Sequence, residues 1–366
     1  MIQNQQQATS ADLSQSALDS AQAGVEDGKR ALLRYQTMCN SDATNCIADS
    51  KINSPECNTA VLKLTDVAAK ESNNEVAVQT TGDGGSLNQY YTCVLINTDT
   101  VDYPGFLLKD KSVIIPLKVK AVDAFDTVHL QWFSPDDIGA SFHNIVKLDP
   151  TGTTPLLSVS SWALNTPSIM RTQLIQLSSN GFNLGDFNDT NDSGESNANT
   201  LFLYPSSMGL NDTSFATKDV RRDVNLGTPP SAAGSPVSII CSGSVASGGY
   251  ACSANLKLPT PINGAINGGD RTAFLRLTSL YNGAHYRVTL FNGSNPNPVY
   301  FNGVLPSIDS TGRADNKFRR VQTRVKLNDG TFPYPEAEID VVRSLCKDFV
   351  VTNSPDDYSS NPSCTP

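Results

Sequence analysis

The sequence predicts an α+β protein in which a long N-terminal helix packs on a mainly antiparallel, jelly-roll-like β-sandwich that is tied by disulfides. Three observations lead there. Only one stretch, Ala17 to Tyr35, carries a sustained helical period. From Glu75 onward, short runs of β-branched and aromatic residues alternate with clusters of Gly, Pro, Asn and Asp, at the intervals of a sandwich or barrel. Eight cysteines occur without a CxxC pair and without a neighbouring histidine, so they read as disulfides in an oxidising compartment rather than as a zinc site.

The helix comes first. Ala17, Ala21, Gly24, Gly28, Ala31 and Tyr35 recur at steps of four and three and share one stripe, flanked by Leu18, Val25 and Leu32. Small side chains let a helix lie close to a neighbouring helix or sheet. Two glycines cost roughly 1 kcal/mol each in helix propensity, which close packing has to offset. Asp19, Glu26, Asp27, Lys29 and Arg30 lie opposite and are expected to be wet. The helix is expected from about Ser10 to Met38, with the glutamine-rich residues before it frayed or continuing it.

Cys39 to Asn58 reads as an irregular bridged loop and Thr59 to Lys70 as a short helix. The strand-like runs follow: Gln89 to Asn97, Ser112 to Lys120, Thr127 to Phe133, Ile169 to Leu177, Thr200 to Tyr204, Val237 to Ser242, Cys252 to Leu258, Ala273 to Leu280, His285 to Phe291 and Arg319 to Leu327. In the last run Val321, Thr323, Val325 and Leu327 share one face, while Arg320, Gln322, Arg324 and Lys326 share the other. Cys241 with Cys252, across a glycine-serine turn, and Cys346 with Cys364 are local pairing candidates. Cys39, Cys46, Cys57 and Cys93 permit three pairings, of which Cys39 with Cys46 is favoured. The expected organisation is a helix and bridged loop over 1–70, a β-rich sandwich over 71–345 and a tail over 346–366.

A net charge of -9 on 366 residues argues against general coating of nucleic acid. The chain lacks the G-x-S-x-G, H-E-x-x-H, phosphate-loop and dinucleotide fingerprints, and His129, His143 and His285 are isolated in sequence, so no enzyme is expected. Asp186, Asn188, Asp189, Asn191, Ser193 and Glu195 crowd oxygen ligands into one loop whose opening copies a calcium loop. Thr200 stands where such a loop closes with glutamate, and a solvated acidic loop is the plainer reading. Arg320, Arg324 and Lys326 could meet an anionic ligand, against the ordinary reading of a solvated strand face paired with carboxylates; DNA is not expected. Trp132, Trp162, Tyr90, Tyr91, Tyr281 and Tyr286 could stack on sugars if exposed, but their place in strand-like runs favours the core.

Ser20, Ala21, Gln22, Ala23, Gly24, Val25 and Glu26 resemble the segment after the membrane helix in type IV minor pilins and type II pseudopilins, of the PilX N-terminal and GspK-like families. Those families more often have glutamate at the position of Gln22. Ser307 to Leu327, with Arg319 and Arg320, looks like their closing strand. The resemblance implies a prepilin leader and an apolar helix upstream, since Ile2 to Ser16 is polar and no stretch here could cross a bilayer. It implies a non-enzymatic, extracellular, pilus-borne protein with other pilins as partners, engaged in assembly at the tip and attachment to a host or neighbouring-cell ligand. Ala17, Ala21, Gly24, Val25, Gly28 and Ala31 would pack the fibre, and Cys346 with Cys364 would tie the tail as in many pilins. The alternative is a secreted carbohydrate-binding or adhesin module outside any fibre.

Overall fold

The structure, a computed structural model, describes residues 2–41, 49–68, 74–78, 88–120, 122–138, 160, 162–176, 198–207, 211–214, 237–243, 245, 248–263, 273–293 and 295–326. Helix α1 spans Ile2–Ser41, so the polar N-terminal residues continue the helix. Two short helices follow, α2 (Asp49–Ile52) and α3 (Thr59–Leu64). The strands are β1 (Val76–Ala77), β2 (Gln89–Thr100), β3 (Asp102–Leu107), β4 (Ser112–Leu117), β5 (Ala124–Trp132), β6 (Ile169–Gln176) and β7 (Ala198–Ser206). They continue with β8 (Asp212–Ser214), β9 (Val237–Ile240), β10 (Cys252–Asn263), β11 (Ala273–Leu280), β12 (Ala284–Phe291), β13 (Phe301–Ala314) and β14 (Lys317–Arg324). Among the described residues no helix is long and apolar enough to cross a membrane.

The strands form three sheets, ordered β1-β2-β13-β14, β3-β12-β5-β10-β8 and β4-β11-β6-β7-β9. The last two face each other across one apolar core that holds Phe125, Leu130, Trp132, Met170, Leu174, Leu275 and Val288. Their pairing is nested: β3 with β12, β4 with β11, β5 with β10 and β6 with β7, all antiparallel. A hairpin of hairpins rolled into two sheets is the connectivity of a jelly roll. β8 and β9 extend its edges by parallel pairing. Strand periodicity explains each face, as β12 illustrates. Ala284, Tyr286, Val288 and Leu290 are buried inward, whereas His285, Arg287, Thr289 and Phe291 alternate outward.

The sandwich is not what the helix packs on. α1 lies on the separate sheet β1-β2-β13-β14, which is built from chain on both sides of the jelly roll and has its own core of Val25, Leu32, Val61, Tyr91, Val94, Ile96 and Ile308. β2 leads into the sandwich and β13 leads out, and the two pair antiparallel along their length. The jelly roll is therefore an insertion between neighbouring strands of a helix-on-sheet unit. The small-residue stripe explains the fit. Gly24 faces Ser310, Val94 and Tyr91, Gly28 faces Ile308, and Gly312 of β13 sits against the backbone of Ala17, Ser20 and Ala21, so the helix lies flush on the strands.

Two disulfides staple these units. Cys57 joins Cys93, beside Asn58, whose side chain accepts from Val94 N (2.8 Å) and donates to Asn74 O (2.6 Å). Cys241 joins Cys252 and thereby links the end of β9 in one layer of the sandwich to the start of β10 in the other. Cys39 is disulfide-bonded as well, while Cys46, Cys346 and Cys364 lie outside the described residues.

Candidate functional site

Apolar side chains of β3, β5, β10 and β12 point into the sandwich, which leaves the other face of that sheet to polar and aromatic groups. On β12 the outward residues are His285, Arg287, Thr289 and Phe291; opposite them on β5 are Gln131, His129 and Thr127, with Ser253 and Asn255 beyond on β10. The hydrogen bonds run in an ordered row. Ser253 Oγ donates to His129 Nε2 (3.3 Å), His129 Nδ1 donates to Asn255 Oδ1 (2.5 Å), and Asn255 Nδ2 donates to Asp212 Oδ1 (2.8 Å). An amide oxygen only accepts, so the neutral ring carries its proton on Nδ1. Ser253, His129 and Asn255 are thus hydrogen-bonded in sequence across the antiparallel ladder of β10 and β5. The row is a hydrogen-bond relay on a surface.

The second group on this face is built around His285. Ser134 starts the short 3₁₀ turn Pro135–Asp137 with a reciprocal capping box, and this turn aims Asp137 back at the sheet. The Asp137 carboxylate, only 3% exposed, accepts from Ser134 N (2.8 Å), His285 N (2.8 Å) and His285 Nδ1 (2.7 Å). His285 is thus fixed with Nε2 as its outward acceptor in the neutral ring. Phe106, half exposed on β3, lies 4.6 Å from the imidazole, centroid to centroid. Two residues along β12, Arg287 donates from Nε (3.0 Å) and Nη2 (2.7 Å) to Gln131 Oε1 and stands 5.2 Å over the ring of Tyr250. Burial pushes the Tyr250 phenol up, Arg287 opposes this, and Asp102, Asp137 and Asp136 add to the rise.

The residues singled out from the sequence are placed differently. Ala17, Ala21, Gly24, Val25, Gly28 and Ala31 are buried, and the stripe lies against the chain's own sheet. Asp27, expected to be wet, is 6% exposed; it accepts from Tyr91 Oη (2.8 Å) and pairs with Arg30 (2.6 Å). The basic face of β14 is largely spent. Arg320 clasps Asp309 with two nitrogens and Arg324 pairs with Asp102 (3.0 Å), which leaves Lys326 exposed beyond the end of the strand. Trp132, Tyr91, Tyr286 and Trp162 are core residues, as their place in strand-like runs favours. Asp186, Asn188, Asp189, Asn191, Ser193 and Glu195 lie outside the described residues, among which no cluster of three metal-ligating side chains occurs.

Phe106, Asp137, Tyr250, Gln131 and Arg287 were not legible as a group, because β3 carries Pro104 and Gly105 and reads as a loop. The alternation of His285, Arg287 and Thr289 was the one available signal. No family model, curated protein or solved structure matches the chain.

Proposed function

We propose that this chain is a non-enzymatic, pilin-like surface protein that carries its jelly roll outward on a helical stem. The supporting observation is the way α1 is used. From Ala17 onward its small-residue stripe is buried on an antiparallel sheet, while Gln7, Ala11 and Asp12 before it stand exposed to solvent. A helix anchored at one end and free at the other can dock into an assembly of like helices, and the segment Ser20 to Glu26 resembles that of minor pilins. The disulfides suit an extracellular setting. Partners on this reading are other pilins through the free turns of α1, and a surface ligand through the sandwich.

The test is cellular. An epitope-tagged copy expressed from its native locus is expected in the sheared-fibre fraction and to be lost from it when the assembly ATPase is deleted. Secretion into the medium that is indifferent to that deletion overturns the fibre role. A second reading, a carbohydrate-binding module outside any fibre, is favoured by one observation, the polar and aromatic outer face of the sheet carrying β5 and β12.

A further inference from the structure

We infer that Phe106, His285, Arg287, Gln131 and Tyr250 form a subsite for a neutral pyranose ring of a surface glycan. The inference rests on reading the sandwich as the displayed, ligand-binding part of the molecule, and it concerns residues that no sequence motif picks out. Four properties of the site converge on that ligand.

The first is a fixed acceptor. Asp137 is nearly inaccessible and accepts from both the backbone N–H and the ring Nδ1–H of His285, which holds the imidazole with Nε2 outward as the acceptor of the neutral ring. The second is a fixed donor. Arg287 spends Nε and one Nη2 hydrogen on the neutral oxygen of Gln131, so Nη1 and the second Nη2 hydrogen remain for hydroxyl oxygens. The two groups sit at alternate positions of one strand, about 7 Å apart along it, a span that the hydroxyls on one edge of a sugar ring bridge.

The third property is apolar. Phe106 is 50% exposed beside His285, a large ring left in water on a strand whose other side is core. Tyr250 offers a second ring next to Arg287. A pyranose presents C–H groups on its faces and hydroxyls on its rim, and it pairs with one aromatic plane plus flanking planar donors and acceptors. The fourth is charge. Arg287 is offset by Asp136 and Asp137, while Asp102 nearby is matched by Arg324, so the local field offers nothing to a phosphate or to an acidic sugar that would favour it over a neutral one. Nucleic acid is disfavoured by the same balance.

Saturation-transfer NMR on the purified chain tests this with methyl glucoside, methyl galactoside, methyl mannoside and N-acetylglucosamine as probes. At least one is expected to receive saturation. Phe106→Ala and Arg287→Ala, each at the surface, are expected to weaken it by about tenfold or more. Arg320→Ala, on the other sheet, leaves it unchanged. His285→Gln keeps an acceptor there and is expected to retain more binding than His285→Ala, an order that a merely structural role would not produce. Transfer to none of the probes, or transfer that survives Phe106→Ala and Arg287→Ala in variants with unchanged melting curves, overturns the assignment. Neither outcome bears on fibre localisation, which is read in cells without any sugar.

Discussion

Gly312 has no side chain because the backbone of α1 occupies the place where one would be. A Cβ there meets Ala17 O and Ala21 N, backbone atoms that move only if the helix lifts. Gly312→Ala is therefore expected to cost about 2–3 kcal/mol, near the top of the usual range for overpacking, whereas Gly243→Ala, with nothing within 4 Å, serves as the neutral control. Urea denaturation of the two variants checks it. Tyr91 and Tyr286 carry a pH dependence. Burial raises both phenols well above the ordinary value of 10.0, and the Asp27 carboxylate adds to the rise at Tyr91. The fold favours the neutral phenol, so this contribution is complete below about pH 10 and is lost as pH rises through the higher folded value. In an alkaline absorbance titration, part of the phenolate signal should emerge only together with loss of near-ultraviolet circular dichroism. Early titration of all the tyrosines would contradict the burial of these two.

At the level of elements, the Cys241–Cys252 bridge and the ladder do separate jobs. The bridge crosses between the two layers of the sandwich and closes a short loop, with a sequence separation of 11. Replacing both cysteines with alanine is expected to destabilise the sandwich by about 2–3 kcal/mol through freedom returned to the unfolded chain. Hydrogen exchange should show faster opening in β9 and β10 and little change in α1 and β2. Strand existence was well marked in the sequence where alternation was regular, as in β5, β12 and β14. It was hidden where the pattern is interrupted. β3 contains Pro104 and Gly105, and β13 contains Gly303, Pro306 and Gly312 with a register shift between Asn302 and Ser307. Pro104 is exposed, Gly105 makes room for the ring of Tyr286 and Gly312 for the helix, while Gly303 meets no neighbour and has a positive φ of 69°.

For the whole molecule, the division into a helix-on-sheet unit and an inserted jelly roll has a direct consequence. Thr100 and Phe301 are register partners at the mouth of the insertion, and the cores on the two sides contain different residues. Replacing residues 101–300 by a short glycine-containing turn is expected to leave α1, β1, β2, β13 and β14 folded, with a cooperative thermal transition and dispersed amide resonances. A molten product, without near-ultraviolet circular dichroism, would mean that the sandwich is needed to order the sheet. Phe301, Val304 and Leu305 of β13 reach into the sandwich core, and the other ties at the mouth are polar: Lys120 pairs with Asp99 (2.5 Å), Asn302 donates to Asp99 Oδ1 (2.9 Å), and Arg324 pairs with Asp102. Such polar contacts hold orientation while contributing little to either core.

The sequence by itself determined the helix, most strands, the two faces of β14 and the oxidised cysteines, because period, β-branching and spacing are local properties. Only the tertiary structure decided what the helix lies on and which residues share the outer face of the sandwich. Those are outcomes of pairing between segments as distant as Asp102 and Thr289, or Gln89 and Ala314. No local propensity encodes a partner some 200 residues away, so Asp27 could look solvent-facing on its helix and still be buried against Tyr91.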